Sequence, residues 1–139
     1  FSLMQQLTER GITVIVNLAP ILPFINDDME NIQGLLSYCV KAGVYGILTD
    51  KMCPVLREGN RERFYQQLYK NFPDIYDQYE AVYADEKTLK TKNYTEIMAC
   101  IRETCEAHGI QYDKEELLRF TREYKNKTIG TQLSLFDMM

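Results

Sequence analysis

The chain has 139 residues, enough for one domain or part of one. A hydrophobic content of 45% can supply a core, while 16 lysines and arginines against 20 acids leave a net charge of −4, unlike the basic excess of a dedicated nucleic-acid module. No apolar run approaches a membrane span, and four cysteines are too few for a disulfide framework, which makes a reducing, cytoplasmic setting the expectation.

Phe1 to Arg10 reads as the end of an amphipathic helix, with Leu3, Met4 and Leu7 apolar and Gly11 as its stop. It opens on a helix already under way, with no initiator methionine and no targeting signal, so a fragment of a longer protein is expected. Ile12 to Ala19 is a β-branched apolar run without alternation, as in a strand covered on both faces of a parallel sheet. Asp27 is positioned to cap a following helix, with Glu30 reciprocating as in a capping box. Met29, Ile32, Leu36, Cys39 and Val40 then mark one helical face, and Ala42-Gly43 supplies the stop. Val44 to Thr49 is a second, shorter strand. Two strands joined by a helix of this length should be parallel, with a right-handed crossover.

Lys51 to Gly59 reads as a loop containing Pro54. Asn60 is the expected cap of a helix to about Asn71, with Phe64, Leu68 and Phe72 at helical spacing, broken at Phe72-Pro73-Asp74. Ile75, Tyr76, Tyr79, Val82 and Tyr83 mark the next helix, and the aperiodic polar stretch Asp85 to Asn93 reads as a loop. Tyr94, Ile97, Met98, Ile101 and Cys105 predict a further helix ending at His108-Gly109, where an imidazolium would complement the dipole. Asp113 and Glu116 form another capping-box pair, ahead of Leu117, Phe120 and Tyr124. The expected fold is α/β: the C-terminal βαβ part of a partial (β/α)6 TIM-like barrel, then a mostly helical region. The expected division is 1–56 for the barrel part, 57–125 for the helical extension and 126–139 for a flexible tail.

The pattern G-I-x-V-x-V-x-x-x-P-I-x-P-x-I-N-D from Gly11 to Asp27, then an acidic helix and Ala42-Gly43, resembles the closing part of a radical S-adenosylmethionine barrel. The spore photoproduct lyase-like group, the DNA repair photolyases, is the nearest likeness. Phe64, Tyr69, Phe72-Pro73-Asp74, Tyr94, Ile97, Cys105 and Gly109 extend it, so that it covers roughly Gly11 to Tyr112. The resemblance implies a parent enzyme with a 4Fe-4S cluster on three cysteines near the first strand, which cleaves S-adenosylmethionine reductively to a carbon radical. This chain departs from that pattern in having no C-x-x-x-C-x-x-C loop. Cys39, Cys53, Cys100 and Cys105 are spaced as incidental or buried thiols, and cluster ligation needs several sulfurs converging on one point. The fragment alone is therefore expected to hold no metal and to catalyse nothing.

In parallel α/β folds ligands gather at the carboxyl ends of strands. By that rule and by the resemblance, Asn17, Leu18, Pro20, Ile47 and Leu48 are the candidate cofactor-binding residues. The alternatives are turn and cap roles for Asn26 and Asp27 and plain core for Ile47 and Leu48. The tyrosine-rich stretch from Tyr65 to Tyr83 is capable of stacking on bases but reads equally as half-buried packing. Lys87, Lys90 and Lys92, and Arg119, Arg122, Lys125 and Lys127, are basic groups that phosphates would accept, or simply solvated charge.

Gln132-Leu133-Ser134-Leu135-Phe136 resembles the pentapeptide by which bacterial DNA-processing proteins dock on the replication sliding clamp. Leu135 and Phe136 would enter an apolar cleft while Gln132 bonds at its rim. The alternative is that Leu133, Leu135 and Phe136 fold back on the chain's own core. Two classes of function are thus expected: a fragment of a radical enzyme, or an interaction module for a partner such as the clamp. The remainder of a barrel, or another copy pairing through an exposed strand edge, is the other expected partner.

Overall fold

The computed structural model describes residues 2–123. Within them lie α1 (Ser2–Glu9), β1 (Ile15–Asn17), α2 (Met29–Ala42), β2 (Gly46–Leu48), α3 (Asn60–Asn71), α4 (Pro73–Tyr83), α5 (Tyr94–His108) and α6 (Lys114–Arg122). The fold is mixed helix and strand. β1 and β2 pair in parallel, with Ile15, Val16 and Asn17 opposite Gly46, Ile47 and Leu48. The strands are shorter than the apolar runs that announced them, because only three residues of each meet a partner in register.

The βαβ unit forms as its sequence dictates, with one shift. The cap of α2 is Asp28, not Asp27: the Asp28 carboxylate accepts the Asn31 amide at 2.8 Å. Asn31, not Glu30, therefore holds the third helical position, and its side-chain amide donates to the Asn26 carbonyl instead of closing a capping box. Gly43 ends α2 in the left-handed conformation, its amide reaching back to Cys39 and Val40.

Strand alternation gives the two faces of this short sheet different surroundings. Val16 and Ile47, paired across the ladder, enter one core with Ile32, Leu36 and Cys39 of α2 and Ile97, Ile101 and Cys105 of α5. The opposite face carries Ile15, Asn17, Gly46 and Leu48. Of that face, Gly46 is covered by Leu117 of α6: a Cβ at Gly46 would sit 2.3 Å from Leu117 Cδ2 and 3.0 Å from the Gln111 carbonyl. Asn17 is exposed and Ile15 and Leu48 are half-buried.

The two edges of the sheet also differ. Gln111 closes the outer flank of β2, donating its amide to the Tyr45 carbonyl and accepting from the Ile47 amide, both at 2.9 Å. On β1, Val14 accepts from Tyr45 at 2.9 Å and Leu18 donates to Leu48 at 2.8 Å. By the alternation of a parallel ladder, the backbone groups of Ile15 and Asn17 point away from β2.

α3 and α4 make a second core with the loop that follows β1. Leu56, Leu68, Tyr79, Tyr83 and Leu89 are its buried members. The helices meet at Phe72, which ends one and precedes Pro73 at the first position of the other. Asn60 does not cap α3; the cap is Gly59, with no side-chain hydrogen bond, and Asn60 is the first helical residue. Arg61 crosses to the end of α4, donating to the carbonyls of Tyr83 at 3.2 Å and Ala84 at 2.6 Å, and to that of Glu86. This satisfies carbonyls that a helix end leaves without partners.

The aperiodic stretch from Asp85 to Asn93 is a loop, as expected, but it is not superficial. Leu89 and Thr91 are buried, and Thr88 bridges Val55. The helices placed by sequence in the region 57–125 divide between the cores: α3 and α4 form the second, while α5 packs on α2 and the sheet. α6 is capped by Asp113, which accepts the Glu116 amide at 2.9 Å. The box is half made, because the Asp113 amide donates to the Gln111 side chain and Glu116 pairs with Arg119. Tyr124 lies outside the described residues.

Candidate functional site

The carboxyl ends of the two strands bring together the loop from Leu18 to Asp28 and the turn from Thr49 to Cys53. The Ile21 amide donates to the Met52 carbonyl at 2.8 Å, tying one to the other. The first loop is built by its own side chains. Asn26 Oδ1 accepts the Leu22 amide at 2.6 Å, and Asp27 Oδ1 accepts the Phe24 amide at 2.8 Å. Phe24 takes a left-handed φ of 62°, a conformation that bulky residues rarely adopt. Its ring stands edge-on to Tyr79, with centroids 5.7 Å apart, and Tyr79 donates its hydroxyl to the Pro23 carbonyl at 2.7 Å.

Asp27 anchors this loop from the other side. It is 9% exposed, and Oδ2 accepts the Thr91 hydroxyl in a short hydrogen bond. Thr91 Oγ1 accepts the Asn93 amide at 3.1 Å, and Asn93 Nδ2 donates to the Asp27 carbonyl at 3.2 Å. Asp27 is thus a buried tie between two loops, where sequence reasoning makes it a helix cap. The signal available in the sequence was the doubled Asp27-Asp28, in which one carboxylate can cap while the other turns inward.

The sequence-derived site residues separate by face. Asn17 and Leu48 are register partners on the sparsely covered face. Pro20 is exposed on the loop beyond β1, following a cis peptide bond from Ala19. Leu18 and Ile47 are core residues, 6% and 0% exposed, and belong to the cluster beneath α2 and α5. A cofactor lying on the open face would meet Asn17 and Leu48 and would not touch Ile47. Asn17 is the polar member of the pair, with one amide donor group and one acceptor.

On the turn after β2, Lys51 has a φ of 59° and Asp50 pairs with Lys114 at 2.7 Å. The Asp50 carboxyl is held below its usual range, chiefly by the Lys114 hydrogen bond. Cys53 is half-buried; burial raises its thiol pKa, opposed by the Lys90 ammonium and the Thr91 amide. Cys39 and Cys105 are buried in the sheet core, and burial pushes the Cys105 thiol up to about 11. Among the described residues no group of three or more His, Cys, Asp or Glu side chains is arranged to hold a metal ion.

The chain matches no family model, no curated protein and no solved structure.

Several of the remaining candidates have structural partners. Tyr65, Tyr69, Tyr76, Tyr79 and Tyr83 are joined through Phe64 in a chain of ring contacts within the α3–α4 hairpin, all edge-on or tilted. Lys90 Nζ sits 4.4 Å from the Tyr94 ring centroid, and Arg119 pairs with Glu116 and Glu123. His108 occupies the last turn of α5. Lys125, Lys127 and the Gln132–Phe136 pentapeptide lie outside the described residues. Among the described residues no helix is long and apolar enough to cross a membrane.

Proposed function

We propose that this chain is the closing βαβ segment of a radical S-adenosylmethionine barrel of the spore photoproduct lyase-like kind, and that it lends the barrel part of its cofactor surface. The observation that carries the reading is the loop at the carboxyl end of β1. Its Pro20-Ile-x-Pro23-x-x-Asn26-Asp27 pattern is the one that gives the resemblance, and Asn17 and Leu48 stand side by side just before it on the open face. On this reading Asn17 bonds the polar part of S-adenosylmethionine, Leu48 and Pro20 flank its apolar part, and Leu18 and Ile47 hold the strands from behind.

The cluster is a separate matter. Cys39 and Cys105 face the core between α2 and α5, and Cys53 lies at the turn beyond β2, so these thiols do not suit an iron–sulfur cluster. The cluster ligands would belong to another part of the parent. The test is anaerobic expression of the complete product of the gene, followed by assay of 5′-deoxyadenosine from S-adenosylmethionine under reduction. Cluster-spaced cysteines in that product, with 5′-deoxyadenosine formed, support the reading; their absence removes it.

A second reading is favoured by one specific feature, the pentapeptide Gln132–Phe136. It would recruit the bacterial sliding clamp, and the two roles are compatible in one parent. A peptide ending in TQLSLFDMM should bind clamp, and the Leu135→Ala, Phe136→Ala double variant should not. Equal binding by both peptides, or by neither, ends this reading.

A further inference from the structure

A trough runs along one face of α5 to the turn after β2, and neither Asn17 nor Leu48 lines it. Its larger part, of about 390 Å³, is lined by Thr49, Tyr94, Met98, Ala99, Arg102 and Tyr112, among others. Positions 94, 98 and 102 lie one helical turn apart, so Tyr94, Met98 and Arg102 share one side of α5. A smaller hollow of about 300 Å³ continues from it past Thr49 and Tyr94 to Asp50, Lys51, Cys53 and Lys114. The volume falls in the range of small-molecule sites, roughly 300–1,000 Å³.

The charges around the trough are unequally engaged. Asp50 is held by Lys114 at 2.7 Å, and Glu106 accepts the Tyr112 hydroxyl at 2.8 Å. The Asp50 charge is thus paired, whereas Glu106, bonded to a neutral hydroxyl, keeps its own. Arg102 makes no ion pair among the described residues, and neither does Lys51. Arg102 lies close enough to influence the Tyr112 hydroxyl, whose pKa is raised chiefly by the Glu106 hydrogen bond and opposed by the Arg102 charge. The result is a largely apolar wall with two tyrosine rings and a guanidinium that, among the described residues, has no carboxylate in an ion pair.

We propose that this trough binds an aromatic anion of mononucleotide size, its flat ring against Tyr94 and Tyr112 and its phosphate or carboxylate on Arg102. A guanidinium suits such a group because its donors match two oxygens at once. Tyr94 and Tyr112 both line the trough, and an aromatic ring is a surface on which a planar ligand can stack. The inference uses other side chains than the radical-enzyme reading, Tyr94, Arg102 and Tyr112 in place of Asn17, Pro20 and Leu48, although the trough ends at the same Thr49–Cys53 turn.

The test uses AMP, adenosine and inorganic phosphate as probes of the isotope-labelled 139-residue chain. AMP should shift the amide resonances of Thr95, Met98 and Arg102, and should bind about tenfold more tightly than adenosine or phosphate. Arg102→Gln, an exposed position, should remove that advantage without changing the thermal melt. The proposal is overturned if AMP moves none of these amides, if adenosine or phosphate binds as well as AMP, or if Arg102→Gln binds AMP like the wild type.

Discussion

Asp27 and Thr91 are 64 residues apart in sequence and share a buried hydrogen bond. Through it the loop after β1 and the loop before α5 fix one another, and each also seals an edge of the aromatic core. Removing the carboxylate strands two donors, the Phe24 amide and the Thr91 hydroxyl. Asp27→Ala should therefore cost about 1–3 kcal/mol, with Asp27→Asn closer to wild type because one oxygen remains. Asp28→Ala, which deletes the α2 cap, should cost about 1 kcal/mol. Urea unfolding of the three variants measures this; if Asp28→Ala proves the most damaging, the buried tie has been overvalued.

Gly46 and Leu117 make a second close relationship. A methyl at Gly46 would meet Leu117 Cδ2 at 2.3 Å and the Gln111 carbonyl at 3.0 Å. Gly46→Ala should destabilise the chain by about 1–3 kcal/mol through overpacking. Leu117→Ala should cost about 2–5 kcal/mol through the cavity it leaves. The double variant should lose less than the sum, because the new methyl enters the vacated space. Strict additivity in a double-mutant cycle would show that the contact carries no coupling.

The buried thiols predict an alkaline limit. Cys105 is raised from 9.0 to about 11, so the folded state holds that proton more tightly than the unfolded chain does. Its contribution is fully present below about pH 9 and is lost as the pH rises toward 11. Cys39 is raised too, by burial, and acts in the same direction. Stability measured from pH 8 to 11 should fall, and Cys105→Ala should flatten the fall. A profile unchanged by that substitution would place the alkaline loss elsewhere.

Among the described residues no strand pairs with the outer edge of β1, and that edge predicts association. Ile15 and Asn17 present backbone groups away from β2, whereas Gln111 occupies the corresponding flank of β2. The isolated chain should self-associate through β1, and Ile15→Pro, which removes an outward donor, should weaken this association. Light scattering reads the outcome, and a wild type that stays monomeric at high concentration would contradict it.

Much of the helical frame was legible because period and punctuation agree. α2 and α5 show both an apolar stripe and a left-handed glycine, Gly43 and Gly109, at their ends. What escaped was set by contacts distant in sequence. Nothing local distinguishes Asp27 from Asp28 as the cap until Thr91 arrives to take one of them. Leu89 sits in a polar stretch too short for periodicity, yet it is completely buried. Gln111 joins the sheet through a single bridge, which leaves no pattern of alternation to read. Of the candidate site, Asn17 and Leu48 were placed together by the strand-end rule. That rule does not choose a face, so it also gathered Leu18 and Ile47 from the core.

Phe72 alone separates α3 from α4, closing the first and opening the second. Such an elbow has no slack. One inserted residue would turn α4 by roughly 100° about its axis, swinging the Tyr79 hydroxyl away from the Pro23 carbonyl and the Tyr83 hydroxyl away from the Lys90 carbonyl, to which it donates at 2.6 Å. Length at this corner should therefore be far less forgiving than side-chain identity, even though Phe72 itself is 44% exposed.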